Sequence, residues 1–319
     1  MSGDGAYENG RVEVADGPDR GMAWHFGDPL GEQRAMEAGE ALVELTSREV
    51  FTVTGEERLS WLHSLTSQAI DGPQAALGVD ALVLSPTGQI EHGFVLVDDG
   101  TTAWCWTEPG DREGLVAFLE SMKFWTKAEV VARDDLHVVW VGEQVDEPTV
   151  VLAGRTSLVG AGRELVVPAD GELPVARHTG QWAFEALRVA AGVPRIGSDT
   201  DARTVPNEIG LFGTALDKGC YRGQETVARV HNLGRPPRRF VRLLLDGALP
   251  EEGAAIVLDG REVGHVGTAA QHHELGPVAL GLVKRSVPAD ATLVAGGIAA
   301  SQEVLVDPEV GLHFRPPAR

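Results

Sequence analysis

The chain has 319 residues, enough for one large domain or for two to three packed units, and its 43% apolar content suits a folded protein. A formal charge of −20 opposes general attraction to nucleic acid or anionic membrane, so an anionic partner needs a local basic patch. The two cysteines, Cys105 and Cys220, form no C-x-x-C pair; they indicate neither a disulfide framework nor a complete zinc or cluster site, and they fit a reducing compartment.

The polar, acidic start has no apolar signal core and no transit character, and no run of about 18 apolar residues follows. The expectation is a cytoplasmic protein without a membrane partner, with a flexible leader over residues 1–22. Residues 49–53 read as a strand, and Thr54-Gly55-Glu56-Glu57 offers a capping box for a helix with Leu59, Leu62 and Leu65 on one face. Three apolar runs over residues 81–106, separated by Pro86-Thr87-Gly88 and Asp98-Asp99-Gly100, predict an antiparallel meander. An amphipathic helix is expected over 111–122, a strand over 136–141, short strands over 148–162, and a helix over 181–191 stopped by Gly192-Val193-Pro194.

Helices and strands mix without regular βαβ alternation, which predicts an α+β body. From Arg239 the texture turns to short β-type runs between Gly, Pro and Asp turns, which predicts a small barrel or sandwich. The prolines of Gly234-Arg235-Pro236-Pro237 forbid regular pairing and set the boundaries: leader 1–22, body 23–237 as one unit or two subdomains, barrel domain 238–319.

The densest chemistry lies in Asp217-Lys218-Gly219-Cys220-Tyr221-Arg222-Gly223-Gln224-Glu225, where a thiol, an ammonium, a phenol, an amide and a carboxylate surround glycines. Lys218 and the N-terminus of a helix starting near Gly223 would favour a thiolate at Cys220. A tight turn with a small buried cysteine is the alternative. Lys218-Gly219-Cys220-Tyr221-x-Gly223-Gln224-Glu225 resembles the signature of the YgfZ family, a relative of the glycine-cleavage T-protein, and Thr226-Val227-Ala228-Arg229 continues it. Weaker similarity at Val53-Thr54-Gly55, Ser85-Pro86-Thr87-Gly88-Gln89-Ile90, Leu187-Arg188-x-x-x-Gly192, Pro206-Asn207-Glu208 and Gly264-His265-Val266-Gly267 extends the resemblance over residues 35–310.

The resemblance implies a T-protein-like folate-binding α+β body with a small C-terminal β-barrel, and tetrahydrofolate or a derivative as cofactor. It implies an accessory role in assembling or repairing iron–sulfur enzymes, tRNA-methylthiolating ones included, with folate and iron–sulfur enzymes or assembly proteins as partners. By the same token Cys220 is the functional thiol with Lys218 beside it, and Glu91, Arg188, Glu208, Gly219, Tyr221, Gly223, Gln224 and Glu225 are folate contacts. Three positions depart from the T-protein: Glu91-His92 stands where it has an acidic pair, Ala190 where it has a pterin-gripping glutamate, and Cys220 follows the YgfZ pattern alone. Aminomethyl transfer is therefore not expected, and no reaction is assigned. A folate-dependent one-carbon transferase or demethylase is the rival, and an RNA-binding module ranks third.

Arg222, Arg229, Arg235, Arg238, Arg239 and Arg242, with His231, face the single acid Glu225 over residues 222–242. They form either a patch for a folate polyglutamate tail or tRNA phosphates, or ion pairs with the surplus carboxylates. Trp24-His25-Phe26-Gly27-Asp28 and Trp104-Cys105-Trp106 offer stacking surface or core packing, with Cys105 inert. His272-His273-Glu274 reads as a solvent loop, because adjacent strand residues face opposite ways and no metal is implied.

Overall fold

The computed structural model describes residues 10–234 and 236–308. Its helices and antiparallel strands are interspersed, giving an α+β protein that ends in a closed barrel of six strands. Two compact units interleave along the chain, one taking residues up to 62, 70–79 and 94–188, the other 63–69, 80–93 and those from 189 on.

In the first unit one sheet has the order Ala153–Thr156, Gly162–Pro168, Leu136–Gly142, Ala41–Leu45, Arg177–His178. It is antiparallel except for its last pair. Its apolar strands bury Val43, Val138, Trp140 and Val166 in a core that also takes Phe184 and Leu187 of the Gln181–Ala191 helix. Trp140 closes its polar edge by donating its indole N–H to the Val159 carbonyl at 2.8 Å. The expected meander is present: Phe94 to Asp98 pair with Thr102–Thr107, which pairs in turn with Glu49–Thr54.

Two local expectations differ. Part of the stretch read as leader is structured, since Val12–Glu13 pairs antiparallel with Ala23–His25 and Met22 joins the core. The helix expected after Thr54 runs over Arg58–Leu65 and starts beyond the Thr54 capping box. The Glu57 carboxylate that a box requires instead accepts the Lys127 amide N–H at 2.7 Å. Of the three leucines only Leu62 is fully buried, and Arg58 is buried with it, its guanidinium gripping Asp98 through two bonds of 2.8 Å.

In the second unit the barrel runs in the order Arg238–Leu245, Gly276–Lys284, Arg261–His272, Ala255–Leu258, Leu293–Ala295, Ile298–Val304. Closure leaves no unpaired edge. Alternation sends Val241, Leu243 and Leu245 inward to meet Ile256, Val266, Ala279 and Leu293. His272, expected in a solvent loop, ends a strand and is buried, its Nδ1 accepting the amide N–H groups of Glu274 and Leu275. No helix of the described residues is long and apolar enough to cross a membrane.

Candidate functional site

The octapeptide lies in the second unit, between a bend after the 3-10 turn Pro206–Ile209 and the helix Gln224–Leu233. Gly223 opens that helix at φ +82, a conformation L side chains avoid, and a Cβ there would strike the Ser85 carbonyl oxygen at 2.7 Å and the Gly88 Cα at 2.8 Å. Gly88, at φ +89, faces Thr226 just as closely. The Ser85–Gln89 turn is thereby seated backbone to backbone on the start of the helix. The turn holds itself: the Ser85 hydroxyl oxygen accepts the amide N–H of Thr87 at 3.2 Å and of Gln89 at 3.0 Å.

Lys218 is held by backbone carbonyls. Its ammonium donates to the carbonyls of His63, Thr66 (2.6 Å) and Gln68 (3.1 Å) and lies 5.0 Å from the Tyr221 ring centre. His63 and Thr66 belong to the end of the Arg58–Leu65 helix and the residue after it, where carbonyls lack helical partners and attract a cation. Lys218 is thus a clamp fixing the octapeptide to residues 63–68. Tyr221 is 8% exposed, and burial pushes its phenol pKa up, so it packs under the ammonium as a neutral ring. Ser67 adds a second tie, its hydroxyl donating to the Gly213 carbonyl at 2.7 Å.

Over this clamped base Gly219 and Cys220 are exposed. A Cβ on Gly219 would come within 4.0 Å of His63 Nε2, so an imidazole borders the loop that carries the thiol. Gln224 reaches back with long amide bonds to the carbonyls of Lys218 (3.5 Å) and Gly219 (3.4 Å), and Glu225 is exposed in the first helical turn. Arg222 donates to Glu91 at 3.0 Å, and both side chains stay about one-third exposed, at 33% and 37%.

Other expected residues are engaged elsewhere. Glu208 has no exposed side-chain surface; it accepts the Val205 amide N–H at 3.1 Å and the Arg238 guanidinium at 2.8 and 2.9 Å. Arg238 also grips Asp201 at 2.7 and 3.0 Å, and that hydrogen bond is the main cause holding the Asp201 carboxyl well below the usual aspartate range. Arg188, in the first unit, is 2% exposed and binds Glu185 one helical turn away at 2.7 to 3.2 Å. Glu208 and Arg188 are thus buried in ion pairs, whereas Glu91, Arg222, Gln224 and Glu225 keep exposed surface.

The cationic stretch resolves mainly into pairs. Arg222 and Arg238 are bridged as above, Arg242 binds Glu303 and the Ala190 carbonyl, and Arg239 is fully buried, donating to Gln302 and to the Val287 carbonyl. Arg229 is exposed, and Arg235 lies outside the described residues. Pairing with carboxylates thus holds for Arg222, Arg238 and Arg242. The aromatic clusters are likewise packed: Trp24 stacks on Trp182 at 5.3 Å, Trp104 donates to Asp99, Trp106 lies beside the Arg155 guanidinium, and burial pushes the Cys105 thiol far up. Sequence reasoning missed His63, Ser67 and Asp201; the signal for the first two was the helix end that a cation must cap, and Asp201 carried none.

A family model described as the CAF17 C-terminal beta-barrel domain matches residues 238–305, which are the barrel. The chloroplastic protein At1g60990 of Arabidopsis thaliana is 23% identical over 93% of this chain and 75% of its own length. The mitochondrial iron-sulfur cluster assembly factor IBA57 homolog of Neurospora crassa is 24% identical over 71% of this chain and 58% of its own. The tRNA-modifying protein YgfZ of Colwellia psychrerythraea is 23% identical over 62% and 69%. Glycine cleavage system aminomethyltransferase T of Bartonella henselae superposes with a TM-score of 0.76 at 17% identity over 96% of each chain, so the fold is T-protein-like. Residues 238–305 thus form a barrel of the CAF17 C-terminal type, the fold is T-protein-like, and YgfZ and IBA57 proteins are among the relatives this chain resembles.

Proposed function

We propose that the chain is a folate-binding accessory protein that supports assembly or repair of iron–sulfur enzymes, tRNA-methylthiolating enzymes among them, in the cytoplasm. The observation that carries this reading is the exposed Cys220 on a loop whose neighbours are clamped beneath it. A clamped, solvent-facing thiol suits transient contact with a partner more than it suits packing, where small buried cysteines belong. One thiolate cannot hold a cluster, so a partner protein supplies the remaining ligands. The names of the YgfZ and IBA57 relatives point the same way.

Tetrahydrofolate would supply a one-carbon carrier, and the chain's part is to bind and orient it. Arg222 can grip a folate carboxylate through its guanidinium, at the cost of its bridge to Glu91. Binding of tetrahydrofolate and its polyglutamate form, followed by calorimetry under reducing, anaerobic conditions, is expected at micromolar affinity in wild type and in Cys220→Ser, and weakened by Arg222→Gln. Restoration of iron–sulfur enzyme activity in cells lacking the protein is expected to fail for Cys220→Ser alone. Full restoration by that variant would refute the thiol role.

A folate-dependent transferase or demethylase is the second reading, favoured by the likeness to an aminomethyltransferase. It requires turnover of a methylated amine with tetrahydrofolate, abolished by Glu91→Ala.

A further inference from the structure

We infer that the second unit holds a small-molecule site separate from the Cys220 loop, suited to a compact, largely apolar amine. It is a cavity of about 300 Å³, at the small end of ligand sites, lined by the 3-10 turn, the last turns of the Gln224–Leu233 helix and the chain that leaves the barrel. No octapeptide residue lines it.

Val230, Leu305 and Val306 make its wall apolar. Two other lining residues carry an anomaly. Asn207 is 7% exposed and donates its amide N–H to the Val227 carbonyl at 3.3 Å, yet its Oδ1 is buried with no partner among the described residues. His231 Nδ1 is buried and unpartnered in the same way. Buried polar atoms in folded proteins almost always find a partner, so two orphans on the walls of one cavity point to a ligand or water that completes them.

The chemistry of that ligand follows from the lining. One Nδ2 hydrogen of Asn207 is engaged by Val227, while its unpartnered Oδ1 offers a guest an acceptor. Asp307 is exposed, and no lysine or arginine is among the described lining residues. An N–H donor, and above all an ammonium, is therefore favoured; the net charge of −20 favours a cation over an anion again. A carboxylate or phosphate guest would meet Asp307 and no cationic side chain among the described lining residues, which separates this site from one for a folate tail.

Benzylamine, benzyl alcohol and benzoate, alike in size, are the probes, with binding read by ligand-observed NMR and by the shift in melting temperature of the full chain. Benzylamine is expected to bind, benzyl alcohol more weakly and benzoate not at all. Val230→Phe fills the cavity from the helix side and should weaken benzylamine at least about tenfold. Should that variant misfold, Leu305→Phe fills it from the opposite segment with the same expected result. Asp307→Asn should narrow the preference for the amine over the alcohol. Absence of binding by all three probes, a preference for benzoate, or benzylamine binding unchanged in a folded cavity-filling variant would overturn the proposal.

Discussion

Lys218 and Arg238 carry opposite halves of the local charge logic. Lys218 places a cation on carbonyls that a helix end leaves without partners, and its three bonds are of the stronger, charge-assisted kind. Lys218→Met should cost roughly 2–3 kcal/mol in urea unfolding and speed alkylation of Cys220 by loosening its loop. Lys218→Arg should restore little, because a planar fork cannot address three converging carbonyls. Arg238 neutralises two carboxylates, one of them fully buried, so Arg238→Met strands Glu208 and should cost about 3–5 kcal/mol at neutral pH. The pH dependence has a defined sign. The Asp201 carboxyl is depressed in the folded state, so its contribution is present above its unfolded value near pH 4 and lost as pH falls through the folded one. The stability gap between wild type and Arg238→Met should therefore shrink as pH falls below about 4.

At the scale of elements, the decisive feature is the close seat between the Ser85–Gln89 turn and the start of the Gln224–Leu233 helix. Two glycines at positive φ permit it, and a methyl group on either has no room. Gly223→Ala should destabilise the protein by roughly 1–3 kcal/mol, and hydrogen exchange should show the loss concentrated in residues 85–89 and 220–233. The sequence announced these glycines but not their meeting. Positive φ can be suspected from a glycine in a turn, whereas the pairing of turn and helix joins residues more than a hundred positions apart. The helix expected after Thr54 shows the same limit in reverse. The capping pattern was present, but Glu57 found a better-placed backbone donor in Lys127, a residue distant in sequence.

For the whole molecule, 47 acidic residues against 27 basic ones make self-repulsion a standing cost of the compact state. Raising sodium chloride from about 10 mM to about 0.15 M shortens the screening length from roughly 30 to 8 Å, and calorimetry should record a rise in melting temperature. A fall would show that surface pairs outweigh the repulsion. The meander, the helices near 111–122 and 181–191 and the terminal barrel followed from the sequence, because alternation, helical periodicity and turn residues are local signals that burial then obeys. Which partners the charged side chains take was decided only by the fold. Lys218 bonds three backbone carbonyls, Glu208 and Arg188 sit in buried pairs, and Arg222, Arg238 and Arg242 of the arginine run form bridges. The reason is physical: a charge is committed to whichever opposite group lies within a few ångströms of it, and that neighbour is chosen by the folding of distant segments, not by the residues beside it in the chain.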